Sequence, residues 1–179
     1  MMANRSLAFG VALVAATFSL ASHAGTGTAT INVTTSVDPS CTITAAPLAF
    51  GKYDPTSSTA KTQKSAITLT CVKNTQALGV ALSNGGNHDS ISRRMSNGTE
   101  FISYEVYKPV ATDPAVDLPN TDCTDSATAV WGEDTNSSLH PAIAVDSSEK
   151  TYFLCGVIKA RQDVGPGAYS DVLTATVSF

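Results

Sequence analysis

Apolar and polar residues alternate along the segment from Thr28 to Val37. Successive side chains of an extended chain point to opposite faces, so one face of this segment is predominantly apolar and the other carries hydroxyl and amide groups. The apolar face comprises Ala29, Ile31, Val33, Thr35 and Val37. The segment has no proline and no charge, and such a strand pairs readily with another sheet. It is therefore either the first strand of a sandwich or a strand meant for another molecule.

The same alternation predicts further strands after the first cysteine. In Ser65–Lys73 the residues Ile67, Leu69 and Cys71 fall on one face, which we expect to be the inner one. The other predicted strands are Leu78–Leu82, Phe101–Tyr107, a minor one at Ile143–Val145, Lys150–Ile158 and Leu173–Phe179. Turn chemistry at Ser83–Asn87 and Ser96–Thr99 separates them. With about six substantial strands and no helical pattern, the sequence predicts an all-β sandwich.

Two segments of this sandwich are expected at a sheet edge. Cys41–Tyr53 predicts an edge strand interrupted by Pro47, with Leu48 and Phe50 as apolar anchors, followed by a loop from Asp54 to Lys64. The last strand carries one apolar face, formed by Leu173, Ala175, Val177 and Phe179. Because the chain ends within that strand, we expect the neighbouring edge of the sheet to stay uncovered.

The first residues have the pattern of an export signal. Arg5 precedes an apolar run from Leu7 to Ala21, and Ser22-His23-Ala24 fits a cleavage site. Removing these 24 of the 179 residues leaves 155, enough for one domain with its own core. The predicted division is therefore a signal peptide at 1–24, an arm and hinge at 25–40, and a domain at 41–179.

Export favours disulfides between the four cysteines, Cys41, Cys71, Cys123 and Cys155. Three pairings are open. We favour Cys41 with Cys71 and Cys123 with Cys155, since each would tie strands on one side of the middle of the chain. Each such bond closes a loop of roughly thirty residues and contributes about 3 kcal/mol through the unfolded state. The wide spacing argues against a zinc site.

Charge and motif content restrict the function. Without Arg5, ten basic residues stand against fifteen acidic ones, a net charge of −5, which argues against a nucleic-acid partner. We interpret Arg93-Arg94 as the solvated flank of a turn. His88 and His140 are expected to be exposed, and no hydrolase or zinc-protease motif is present, so we expect neither an enzyme nor a cofactor.

The acidic segment 111–138 contains six carboxylates around Trp131. It lacks the spacing of a calcium-binding loop, so a solvated loop is favoured over a metal site.

Several motifs together resemble the spore coat U domain family, and within it the pilin subunits of archaic chaperone-usher pili. They are the alternating arm before Cys41, Pro47–Tyr53, Cys71 in its strand, Tyr104–Tyr107, Gln162-Asp163-Val164, Gly167–Asp171 and the alternation up to Phe179. The resemblance covers nearly all of the chain after residue 24.

This resemblance implies an immunoglobulin-like sandwich that lacks its final strand. Members are held by a periplasmic chaperone, passed to an outer-membrane usher, and polymerised on the cell surface when the arm of one subunit fills the groove of the next. The arm residues from Ala29 to Val37 named above would then be the donor face, and the apolar face from Leu173 to Phe179 would form one wall of the acceptor groove.

Two alternatives remain open. The chain could be a secreted coat protein whose arm folds back into its own groove. It could also be a carbohydrate-binding adhesin with Trp131 and the acidic loop as its site.

Overall fold

A computed structural model describes residues 25–108, 123 and 129–179 of the chain. The predicted signal peptide and most of the acidic segment lie outside these residues. The chain divides between Ser36 and Val37 into two units. Residues 25–36 of the first unit form no strand, and their side chains are exposed.

The second unit contains the described strands. Their bounds are β1 Cys41–Ala45, β2 Lys61–Cys71, β3 Gly79–Leu82, β4 Arg93–Ser96, β5 Phe101–Tyr107, β6 Lys150–Ile158 and β7 Ala175–Ser178. Five of them form an antiparallel sheet in the order β1-β2-β6-β5-β4, and β3 pairs with β7 in a second sheet. Within the described residues there is no helix and hence none that could cross a membrane.

The core lies between the two sheets because the inward side chains of each strand alternate with outward ones. Ile67 and Leu69 of β2 are buried, as are Tyr104 of β5 and Val80 and Leu82 of β3. This is the inner face that the alternation predicts, and it confirms an all-β sandwich. The hairpin predicted at Ser96–Thr99 joins β4 to β5.

Both predicted disulfides are present. Cys41 lies opposite Cys71 in the β1–β2 register and is bonded to it. Cys155 of β6 is bonded to Cys123. The first bond fixes the start of β1, directly after the arm and hinge, to the end of β2.

Three local predictions were wrong. Lys61–Lys64 belongs to β2 instead of a loop, because this polar segment pairs with Cys155–Ile158 of β6. Ile143–Val145 is not a strand: only Ala144 bonds to its neighbours, at Asn74 and Thr75. Arg93 is not a solvated flank but a residue of β4 that is only 2% exposed.

Candidate strand-acceptor cleft

An apolar cleft lies between the segment that follows β1 and the segment that leads into β7. Its walls are residues 45–53 and residues 164–175, and we call it the edge cleft. It contains two cavities, of about 430 Å³ and 710 Å³. Leu48, Phe50 and Met95 line both of them, together with Tyr169, so the cavities are adjacent parts of one cleft.

The floor of the edge cleft is made by inward residues of the large sheet. Ile67, Val106 and Leu154 line the first cavity, and Ile102 and Ile158 line the second. These side chains belong to β2, β5 and β6, whose alternation directs every second residue toward the core. The cleft is therefore an incompletely filled space above the core, and its floor side chains are themselves at most 8% exposed.

The β1 side of this cleft has free backbone groups. Val72 N–H donates to Ser40 O and Ala46 N–H donates to Ala66 O, so the even-numbered residues of this strand face β2. By the alternation of an antiparallel ladder, Cys41, Ile43 and Ala45 then point their backbone groups away from β2. No backbone partner for them is found in the part of the chain that the structure describes.

The β7 side shows the same arrangement. Leu78 N–H donates to Ser178 O and Ser83 N–H donates to Thr174 O, which directs the even-numbered residues of β7 toward β3. The backbone groups of Ala175 and Val177 therefore face the other way, and among the described residues they have no backbone partner. The cleft is thus flanked by two unpaired strand edges, the arrangement that accepts an added strand.

The two edges come close together at β1 and β7, where Cα atoms approach within 8 Å. A strand that pairs on both sides needs about 9.6 Å between its neighbours, twice the normal strand spacing. Insertion of a strand along the whole cleft would therefore require β1 and β7 to separate slightly.

Asp171 fixes the wall before β7 to the sheet. The hydroxyl of Tyr104 donates to Asp171 Oδ2 at 2.7 Å, and the Gly86 N–H donates to Asp171 Oδ1 at 2.9 Å. Burial, and the hydrogen bond that its hydroxyl donates, raise the pKa of Tyr104, which therefore stays a neutral donor. Gly85 has a φ of +84°, and a Cβ there would clash with the Asp171 carboxylate.

Glu100 holds the middle of the same wall. The hydroxyl of Tyr169 donates to Glu100 Oε2 at 2.9 Å, and the Gly165 N–H donates to the same oxygen at 3.0 Å. These hydrogen bonds, with that of Tyr169 the stronger, lower the pKa of Glu100 below its ordinary value. Tyr169 is thereby held where it lines both cavities.

Gly156 of β6 makes room for the opposite wall. A Cβ at this position would lie 2.7 Å from Leu48 Cδ2 and 2.7 Å from Phe50 Cζ. The ring of Phe50 packs edge-on against that of Tyr104, with 6.1 Å between the centroids. The two apolar anchors predicted from the sequence therefore seat on the sheet because residue 156 has no side chain.

The predicted wall residues occupy three different environments. Leu173 and Ala175 line the first cavity. Val177 is half-buried against the core without lining either cavity, and Phe179 is 52% exposed. Met95, Tyr169 and the floor residues were not predicted as part of a site.

The predicted donor residues Ala29, Ile31, Val33, Thr35 and Val37 all lie in no strand and are exposed. Their pairing with a cleft stays a prediction.

Trp131 cannot serve as an exposed sugar-binding platform. Its side chain is 0% exposed, and its indole N–H donates to Val80 O at 2.8 Å. This burial contradicts the alternative that used the Trp131 ring in a carbohydrate site. No cluster of metal-binding side chains is found among the described residues, although four of the six carboxylates around Trp131 lie outside them.

Comparison with known proteins gives a structural likeness and a family. No curated protein matches the chain. Among solved structures, it resembles a chain in the crystal structure of the CsuC–CsuE chaperone–tip adhesion subunit pre-assembly complex from archaic chaperone-usher Csu pili of Acinetobacter baumannii. The TM-score is 0.53 at 24% identity, over 80% of this chain and 40% of that one. This likeness supports the immunoglobulin-like fold.

The family assignment rests on the sequence as a whole. The Spore Coat Protein U domain model matches residues 27–176, which include nearly all of the arm, the walls of the edge cleft and the first half of β7. The chain belongs to the spore coat protein U domain family.

Proposed function

We propose that this protein is a structural subunit of a bacterial surface pilus and polymerises by donor-strand exchange. The arm at residues 25–40 of one copy would enter the edge cleft of the next. The observation that carries the proposal is the pair of unpaired edges, β1 and β7, beside an incompletely filled apolar cleft. A donated strand would complete both ladders and fill the cleft.

The arm has the chemistry that this cleft requires. Burial of Ile31, Val33 and Val37 contributes about 1.5 to 3 kcal/mol each, and each new backbone hydrogen bond adds about 0.5 to 1.5 kcal/mol. Ordering the arm costs about 1 to 2 kcal/mol per residue, which offsets most of this gain. The larger benefit falls to the acceptor, whose edges are otherwise unpaired and whose cleft is otherwise unfilled.

The same argument gives the partners and the form of the assembly. A subunit with unpaired edges and an unfilled cleft needs a protective partner before assembly, and the resemblance to a chain of a chaperone–subunit complex supports a periplasmic chaperone. We propose that an outer-membrane usher then receives the subunit. A contact between an arm and a different surface is head-to-tail, so it builds open filaments. We propose that these fibres act in adhesion or biofilm formation at the cell surface.

Size-exclusion chromatography with light scattering tests this function. The exported protein is compared with a form lacking residues 25–37. We expect heat- and denaturant-resistant oligomers or fibres that are lost in the truncated form. A monomer that truncation merely destabilises would contradict the proposal and favour a coat protein whose arm fills its own cleft.

A matched pair of variants tests which face of the arm assembly depends on. Ile31→Asp with Val33→Asp places charges on the apolar face, and Thr30→Asp with Asn32→Asp places equal charges on the polar face. We expect only the first pair to abolish assembly. Equal loss in both pairs would show that charge, and not the apolar face, decides the outcome.

A further inference from the structure

The arm is joined to its domain by a short, firmly anchored root. Val37, the last residue of the apolar face, is separated from Cys41 by three residues, Asp38, Pro39 and Ser40. Cys41 is fixed by its disulfide to Cys71, and Ser40 O accepts a hydrogen bond from Val72 N–H at 2.8 Å. Between Val37 and Cys41 the chain can span at most about 14 Å.

This tether limits how far apart two joined subunits can lie. A domain of this length has a radius of gyration of roughly 14 Å. If Val37 is seated in the cleft of a neighbour, the surface around Ser40 must therefore lie against or very near that neighbour. Whatever side chains surround the root then face a second copy of this chain.

Two exposed apolar residues lie beside the root. Ile143 is 55% exposed and Val145 is 70% exposed. They flank Ala144, whose carbonyl accepts from Asn74 N–H at 2.7 Å, two residues beyond the Val72 that bonds Ser40. We call Ile143 and Val145 the root patch.

Polar groups border the root patch. The carboxylate of Asp146 lies 3.8 Å from the ammonium group of Lys150, and the Lys73 N–H donates to Ser147 Oγ at 3.3 Å. An apolar centre with a solvated polar border is the usual anatomy of a protein–protein contact.

We infer that the root patch forms a second contact with the neighbouring copy of this chain, beside the donated arm. The inference rests on the proposed function, because the tether brings the patch to a neighbour only if the arm is donated. The arm would supply the link between subunits, and the root patch would fix the angle between them.

The test is the stiffness of fibres measured from their contours in electron micrographs. Ile143→Ser with Val145→Ser removes the patch, and Phe153→Thr is the matched control. Phe153 is also partly exposed, at 45%, but lies in the middle of β6 and away from the root. We expect the patch variant to form fibres as abundantly as the parent, with a persistence length several-fold shorter, while the control keeps the parent stiffness.

Two results would overturn the inference. Patch-variant fibres as stiff as the parent would show that the patch makes no contact, and would leave arm donation intact. A parent protein that forms no fibres at all would remove the proposed function and this contact with it. Val145→Glu provides a second variant, since a charge facing the neighbour should shorten the persistence length at least as much.

Discussion

Arg93 joins the two sheets through a buried guanidinium group. Its Nε donates to Ser83 O at 2.9 Å, and its Nη2 lies 3.1 Å from Leu82 O and 2.6 Å from Trp131 O. The carboxylate of Glu105 is 3.7 Å from Nη1 and supplies the opposite charge. Burial raises the pKa of Glu105, and Arg93 opposes that rise.

Replacing Arg93 by methionine should destabilise the domain strongly. The change leaves three carbonyl groups without this donor and Glu105 without its counter-charge, which typically costs about 3 to 5 kcal/mol. Urea unfolding measures the loss. Arg94→Met is the control, because Arg94 is more exposed, pairs with Asp89 and stacks on Phe101, and should lose about 1 kcal/mol or less. Equal losses would contradict the inter-sheet role of Arg93.

Glu100 should make the cleft wall sensitive to acid. Its pKa is lowered in the folded state, so its carboxylate stabilises the fold above the unfolded value of 4.5, and this stabilisation is lost as the pH falls below about 4.5. Glu100→Gln should therefore flatten part of the fall in the urea midpoint on acidification. Glu149→Gln, at an exposed position in the loop before β6, should leave the profile unchanged. A profile for Glu100→Gln that matches the parent would refute this assignment.

At the scale of single residues, the sequence pattern predicted which strand residues face inward. It missed the burial of Arg93, which depends on long-range contacts. Ile67 and Leu69 face inward as predicted because every second residue of a strand must share a face. Arg93 looked like a solvated residue because its acceptors belong to other segments: the end of β3, the residue after it, and Trp131. No local pattern reports such partners.

At the scale of elements, Gly156 lets the wall at residues 45–53 pack closely against β6. Gly156→Ala should push Leu48 and Phe50 away from β6, displace the wall at residues 45–53, and cost about 1 to 3 kcal/mol from overpacking. We expect a lower urea midpoint and weaker assembly. Adding Leu48→Ala to the same chain should restore part of the stability by making room. A double variant no more stable than Gly156→Ala alone would contradict this packing.

The bounds of the strands were predicted with unequal accuracy. β6 was predicted with its observed bounds because its residues are apolar and β-branched along its length. The first four residues of β2 were missed because Lys61–Lys64 is polar, and only pairing with β6 makes this segment part of a strand. The apolar residues Ile143 and Val145 suggested a strand, but only Ala144 between them has backbone partners.

At the scale of the whole molecule, the second unit is a sandwich with the edge cleft along one side. The alternating face of the last strand indicated one wall of this opening. For the other wall, the sequence predicted only an edge segment with Leu48 and Phe50 as apolar anchors. The floor was not predicted, since it combines residues from β2, β5 and β6. The alternation predicts a strand in the arm, and both that strand and its partner stay a proposal.

The central claim is that a donated arm pairs with the free edges of β1 and β7, and hydrogen exchange of the assembled protein tests it most directly. The amides of Ile43 and Ala45 point away from β2, and those of Ala175 and Val177 point away from β3. We predict that they exchange slowly in the assembled protein and in the Thr30→Asp, Asn32→Asp control, and rapidly in the Ile31→Asp, Val33→Asp variant. Rapid exchange of these amides in the assembled protein would contradict the claim.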